Sequence, residues 1–126
     1  MQSMLIVDDQ PDLRMLLRFT FIDSGFDVRE AVDGESALAE CRTAMPDIVL
    51  LDVMMPGIDG YEVCRRLKAD PLARKTIVVL MTAGHQATER ASAQAAGADL
   101  YFAKPFSPNE LLKVVRAFAQ GELQTD

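Results

Sequence analysis

Apolar residues in this chain fall into short unbroken blocks, separated by longer stretches in which they recur every third or fourth position. Four blocks are continuous: residues 4–7, 48–51, 77–81 and 100–103. Apolar runs of this length, bounded by polar residues, predict strands buried on both faces, as parallel strands covered by helices are. A weaker block at 27–31 sets Val28 among charged neighbours and predicts an edge strand with one wet side.

The intervening stretches predict helices. Leu13, Leu16, Leu17, Thr20 and Phe21 follow the spacing of one amphipathic face, with Pro11 suited to a first turn and Gly25 to a stop. Ala37, Leu38, Cys41 and Met45 form a second stripe between an Asp33-Gly34 turn and Pro46. Tyr61, Val63, Cys64 and Leu67 form a third, ending before Asp70-Pro71. Residues 87–96 are rich in alanine, with good helix propensity and little bulk to bury, and Gly97 stands where a left-handed cap belongs. A last helix spans about 108–120, with Leu111, Val114, Val115 and Phe118 on one face. Strand and helix thus alternate along the whole chain, which implies right-handed crossovers and an α/β sheet with helices on both sides.

Composition narrows the function. The chain has 126 residues, 49% hydrophobic and 25% charged, with no Gly/Ser linker, repeat or low-complexity stretch, so one domain over 1–126 is expected, its core at about 4–120 and a tail at 121–126. A net charge of -6 argues against direct nucleic-acid binding and favours a positive partner or a metal cation. Cys41 and Cys64 form no CxxC pair and read as small buried hydrophobes. No apolar run approaches the roughly 20 residues of a membrane span, and the N-terminal run lacks a signal peptide's basic leader. A cytoplasmic protein without membrane insertion is the expectation.

In sheets of this kind ligands bind beyond the carboxyl ends of the strands. The first strand ends on Asp8 and Asp9, the third on Asp52, the fourth on Thr82 and the fifth on Lys104. Three carboxylates gathered on one rim disfavour their own ionisation. A bound Mg2+, with Mn2+ as a substitute, removes that penalty and suits oxygen ligands. Metal and Lys104 together make a positive pocket fit for a phosphoryl group. Helix N-capping is the other use of adjacent aspartates; it can apply to Asp9 but does not account for both.

The motifs "LIVDD", "PDIVLLDVMMPGIDGYE", "VVLMTAG" and "YFAKPF" resemble the receiver domain of bacterial two-component response regulators, over nearly the whole chain. Asp9, Asp52, Thr82 and Lys104 follow one another at intervals of 43, 30 and 22 residues, which fit that pattern. The resemblance implies a flavodoxin-like (βα)5 domain of strand order 2-1-3-4-5. It also implies a switch rather than an enzyme, in which Asp52 accepts a phosphoryl group from a phosphohistidine. By the same resemblance Asp9 ligates Mg2+ directly, Asp8 mainly through water, and the Met54 backbone carbonyl completes the set. Lys104 pairs with the phosphoryl oxygens, Thr82 hydrogen-bonds them, and Tyr101 is the aromatic that turns inward to remodel the surface of the fourth helix, fifth strand and fifth helix. A cis bond is expected between Lys104 and Pro105.

Met54 and Gly84 match positions that border the phosphoryl group, and neither offers a side-chain hydrogen bond to an attacking water. Slow self-dephosphorylation is the expectation. Gly57 and Gly60 read as turn residues, Pro56 and Asp59 as loop and cap chemistry, and His85 as an exposed loop histidine. The implied partners are a sensor histidine kinase or phosphotransfer protein, and a downstream protein target or output domain, with phosphorylation-dependent homodimerisation a further expectation. The enzyme alternative is a phosphatase of haloacid-dehalogenase type, which also forms an aspartyl phosphate. It typically carries a DxD motif, whereas Val53 and Met54 follow Asp52. A flavin-binding relative is the other rival; "DDQPD" after the first strand would repel its phosphate.

Overall fold

A computed structural model of the chain describes residues 2–83 and 87–120. Its strands are β1 (Ser3–Val7), β2 (Asp27–Ala31), β3 (Ile48–Asp52), β4 (Ile77–Thr82) and β5 (Leu100–Ala103). The helices are α1 (Pro11–Asp23), α2 (Gly34–Thr43), α3 (Gly60–Ala69), α4 (Ala87–Ala95) and α5 (Pro108–Ala119). All strand pairs are parallel, and the sheet order is β2-β1-β3-β4-β5. This is the flavodoxin-like arrangement, and its central strands β1, β3 and β4 are the near-continuous apolar runs.

Alternation along the strands divides the core in two. Leu5, Val7, Val49, Leu51, Val78 and Leu80 face a cluster that takes in Ala37 and Cys41 of α2 and Val63, Cys64 and Leu67 of α3. Met4, Ile6, Ile48, Leu50, Val79 and Met81 face the other way, onto Leu17 and Phe21 of α1 and Leu111 and Val115 of α5. Both faces of the sheet are therefore dry, and the polar residues that follow the strands emerge only at its carboxyl edge.

Four local expectations change. β5 is an edge strand, so Tyr101 and Phe102 are only half-buried. On α1, Leu17 and Phe21 are buried but Leu16 is 48% exposed, and Met15, Phe19 and Ile22 give the helix a second, outward apolar face. Asp33 and Gly34 do not form a free-standing turn. Asp33 is the N-cap of α2, its carboxylate accepting from the Ser36 amide while the Ser36 hydroxyl accepts from Asp33. Met45 then lies beyond the end of α2, and a short 3-10 turn at Pro71–Ala73 follows α3. Gly25 and Gly97 leave α1 and α4 at positive φ.

Candidate functional site

The carboxyl edge of the sheet brings the strand-end residues together. Asp8 follows β1 and is wholly buried, while Asp9 beside it is exposed. One carboxylate oxygen from each of Asp8, Asp9 and Asp52 lies within 4.8 Å of the others. Lys104 reaches across from the end of β5, its Nζ 3.2 Å from Asp8 Oδ2 and 3.2 Å from Asp52 Oδ1. Asp52 is 3% exposed, and its Oδ1 also lies 3.4 Å from the Met54 amide. Thr82 is buried at the end of β4, and its carbonyl accepts from the Lys104 amide at 2.6 Å. The Lys104–Pro105 peptide is cis.

The remaining sequence-designated residues contribute no side chain to this cluster or fall outside the described residues. Tyr101 sits in the middle of β5, opposite Leu80. The Met54 side chain is 68% exposed beside the site. Gly84, like His85, lies outside the described residues.

The electrostatics follow from the packing. Burial first, and then the neighbouring Asp8 charge, push the Asp52 carboxyl above its ordinary value, while Lys104 pulls it down. One ammonium facing two buried carboxylates, with a third at the rim, leaves the edge electronegative. Three oxygen donors this close, with an open side at Asp9, match a hard divalent cation of the Mg2+ class and would serve Mn2+ as well. An open groove of about 680 Å3 runs from the site between Asp9–Leu16 on one side and Lys104–Phe106 on the other.

The local reasons for this geometry were only partly visible in the sequence. Neither aspartate caps α1: Gln10 is the N-cap and makes no side-chain cap bond, while Asp8 Oδ1 accepts from the Gln10 amide at 2.9 Å. Gly60 is not a turn residue but the first residue of α3. A Cβ there would stand 2.5 Å from the Asp52 carbonyl oxygen and 2.7 Å from the Val53 Cα. Its amide donates to the Val53 carbonyl at 3.0 Å, so α3 rests directly on the main chain of the Asp52 strand end. Arg14 donates to the Asp8 carbonyl at 2.8 Å and to Glu30 of β2 at 3.2 Å. The one signal for it was an arginine placed near a helix start, against the helix dipole.

Comparison with known proteins shows what the whole chain resembles. Residues 4–116 match the family model described as response regulator receiver domain. The alkaline phosphatase synthesis transcriptional regulatory protein PhoP of Bacillus subtilis (strain 168) is 39% identical over 116 residues, covering 92% of this chain and 48% of its own length. The DNA-binding response regulator MtrA of Mycolicibacterium smegmatis is 41% identical over 116 residues, covering 92% of this chain and 50% of its own. The crystal structure of a putative response regulator from Chloroflexus aurantiacus superimposes with a TM-score of 0.89 at 35% identity, covering 94% of this chain and 98% of that one. The chain spans about half the length of the curated relatives it matches. The phosphatase alternative finds no support among these matches.

Proposed function

Because the chain belongs to the response regulator receiver domains, a family of phosphorylation-activated switches, we propose that Asp52 is its phosphoacceptor and that Asp8, Asp9 and the Met54 carbonyl join Asp52 in holding Mg2+. The observation that carries this reading is the convergence of three carboxylates within 4.8 Å, with Lys104 bridging two of them. A bound dication supplies charge neutralisation, for the carboxylates and for the oxygens of an incoming phosphoryl group.

The chain's own residues do the rest. The Asp52 carboxylate attacks phosphorus of a phosphohistidine whose ring is protonated on its other nitrogen; the P–N bond breaks as the P–O bond forms, and the ring leaves as neutral imidazole, keeping that proton. Lys104 then pairs with the phosphoryl oxygens and Thr82 hydrogen-bonds them. Tyr101 turns inward in response and alters the α4-β5-α5 surface. The domain acts as a phosphoacceptor that assists its own chemistry, not as a catalyst of metabolite turnover. The groove beside Asp9 and Lys104 is the approach for the phosphodonor, a sensor histidine kinase or phosphotransfer protein.

The relatives' names describe transcriptional regulators and a DNA-binding protein, so the output is an attached or separate domain that meets DNA. With a net charge of -6, the receiver itself has little to offer nucleic acid. Among the described residues no helix is long and apolar enough to cross a membrane, consistent with a cytoplasmic switch. Phosphorylation-dependent pairing of two copies through the altered surface completes the proposal.

Acetyl phosphate with Mg2+ tests it. The native chain gains the mass of one phosphoryl group at Asp52, and the gain disappears in Asp52→Asn or in excess chelator. An unlabelled native chain, or label on another residue, refutes the reading.

A further inference from the structure

Asp9 presents a problem of positioning. Its side chain is exposed, and its carboxylate makes no hydrogen bond or ion pair with any described residue. Yet one of its oxygens lies within 4.8 Å of oxygens on Asp8 and Asp52. No described residue holds the side chain, so its reach toward the cluster depends on where the main chain places its Cα–Cβ bond, and thus on the peptide joining Asp8 to Asp9.

That peptide is held from a distance. Its oxygen, the Asp8 carbonyl, accepts from Arg14 Nη1 at 2.8 Å. Arg14 is itself fixed: its Nε lies 3.2 Å from Glu30 Oε1, and its side chain is only 17% exposed. The second Glu30 oxygen takes Arg18 at 2.7 Å, so the brace is anchored on β2 and twice on α1. A planar guanidinium is suited to this double duty, since its fork of donors can meet a carbonyl and a carboxylate at once. The placement also has a cost, because a cation near the start of α1 opposes the helix dipole. A residue serving only the helix surface would have no reason to be half-buried there.

We propose that Arg14, braced by Glu30, is a positioning residue that fixes the Asp8–Asp9 peptide and so aims Asp9 at the metal position shared with Asp8 and Asp52. This rests on reading the three aspartates as metal ligands. Positioning and simple Coulomb interaction predict opposite signs. Removing the Arg14 charge would, by Coulomb interaction alone, tighten binding of a dication. Loss of positioning weakens it, by about tenfold on the scale of partners that orient metal ligands.

The test is Mn2+ binding to the full unphosphorylated chain, read from the loss of the free-ion electron paramagnetic resonance signal. Arg14→Met and Arg14→Lys are compared with the native chain, and melting in chelator reports the fold of each. Arg14→Met is expected to bind about tenfold more weakly. Arg14→Lys, which keeps the charge and loses the fork, is expected to fall between the two. The lysine variant carries the test if the methionine variant does not fold. Native or tighter affinity in the folded variants overturns the proposal while leaving the metal site intact. A native chain that binds no Mn2+ overturns the site reading, and this inference with it.

Discussion

Replacing Gly60 by alanine sets two effects of known sign against each other. Alanine is the better helix former, and in a helix interior the exchange stabilises by about 0.5–1 kcal/mol. At the first residue of α3 that gain lies toward the lower end. Against it stands a new Cβ 2.5 Å from the Asp52 carbonyl oxygen, 2.7 Å from the Val53 Cα and 3.0 Å from the Asp52 carbonyl carbon. All three are backbone atoms, so no side-chain rotation relieves the contact, and something must move by about half an ångström to reach 3.0 Å. Overpacking of this kind costs about 1–3 kcal/mol, which outweighs the propensity gain.

The net expectation for Gly60→Ala is a loss of about 1–2 kcal/mol, seen as a urea midpoint lowered by about 0.5–1 M. The displaced atoms belong to the strand end that carries Asp52, so labelling there is expected to fall further than stability does. A shift of half an ångström at Asp52 is expected to slow labelling by acetyl phosphate about tenfold in the folded protein, on the scale of 10²-fold for a full ångström. An alanine variant as stable as the native chain, labelled at the native rate, would refute the claim that α3 is seated on the main chain at Asp52.

Other expectations follow from the same site. Asp52 has a raised carboxyl in the fold, so its contribution to stability is complete below the ordinary carboxyl value of about 3.9 and is lost as pH rises through the folded value. Asp52→Asn is therefore expected to unfold at higher urea than the native chain at pH 7 without dications, the gap closing toward acid; a variant weaker at pH 7 overturns this. Lys104→Met leaves two buried carboxylates facing each other and is expected to cost about 1–3 kcal/mol without metal, less than a fully buried pair because Lys104 remains partly wet. Mg2+ is expected to restore more stability to that variant than to the native chain; equal melting of the two proteins without metal would refute the bridge. Met54→Asn places a hydrogen-bonding amide beside Asp52 and is expected to shorten the life of the phosphorylated form, timed after removal of acetyl phosphate; an unchanged decay counts against a role for that position.

The strands were legible because dry sheet faces demand unbroken apolar runs, and the sequence blocks match β1, β3, β4 and β5 to within a residue at either end. The convergence of Asp8, Asp9, Asp52, Thr82 and Lys104 was legible too, since each occupies a strand end and the topology does the gathering. What failed was orientation. Met15, Leu16, Phe19 and Ile22 make α1 apolar on its outward side as well, so periodicity could not say which stripe faced inward and assigned Leu16 wrongly. Gly60 reads locally as a turn residue because the reason for it is a contact with the Asp52 carbonyl, which no local pattern encodes. The link from Arg14 to Asp8 and Glu30 depends on the reach of a long side chain across two elements.

The alanine-rich fourth helix has a mechanical meaning. Among the described residues of α4 only Ala93 is buried, whereas α1 is pinned by Leu17 and Phe21. One methyl group withdrawn from water is worth about 0.8 kcal/mol, so α4 is the loosest slat in the structure. Its amide protons are expected to exchange with deuterium before those of the other helices. With so little apolar area holding it, α4 is the helix that costs least to displace, over a sheet that is packed on both faces.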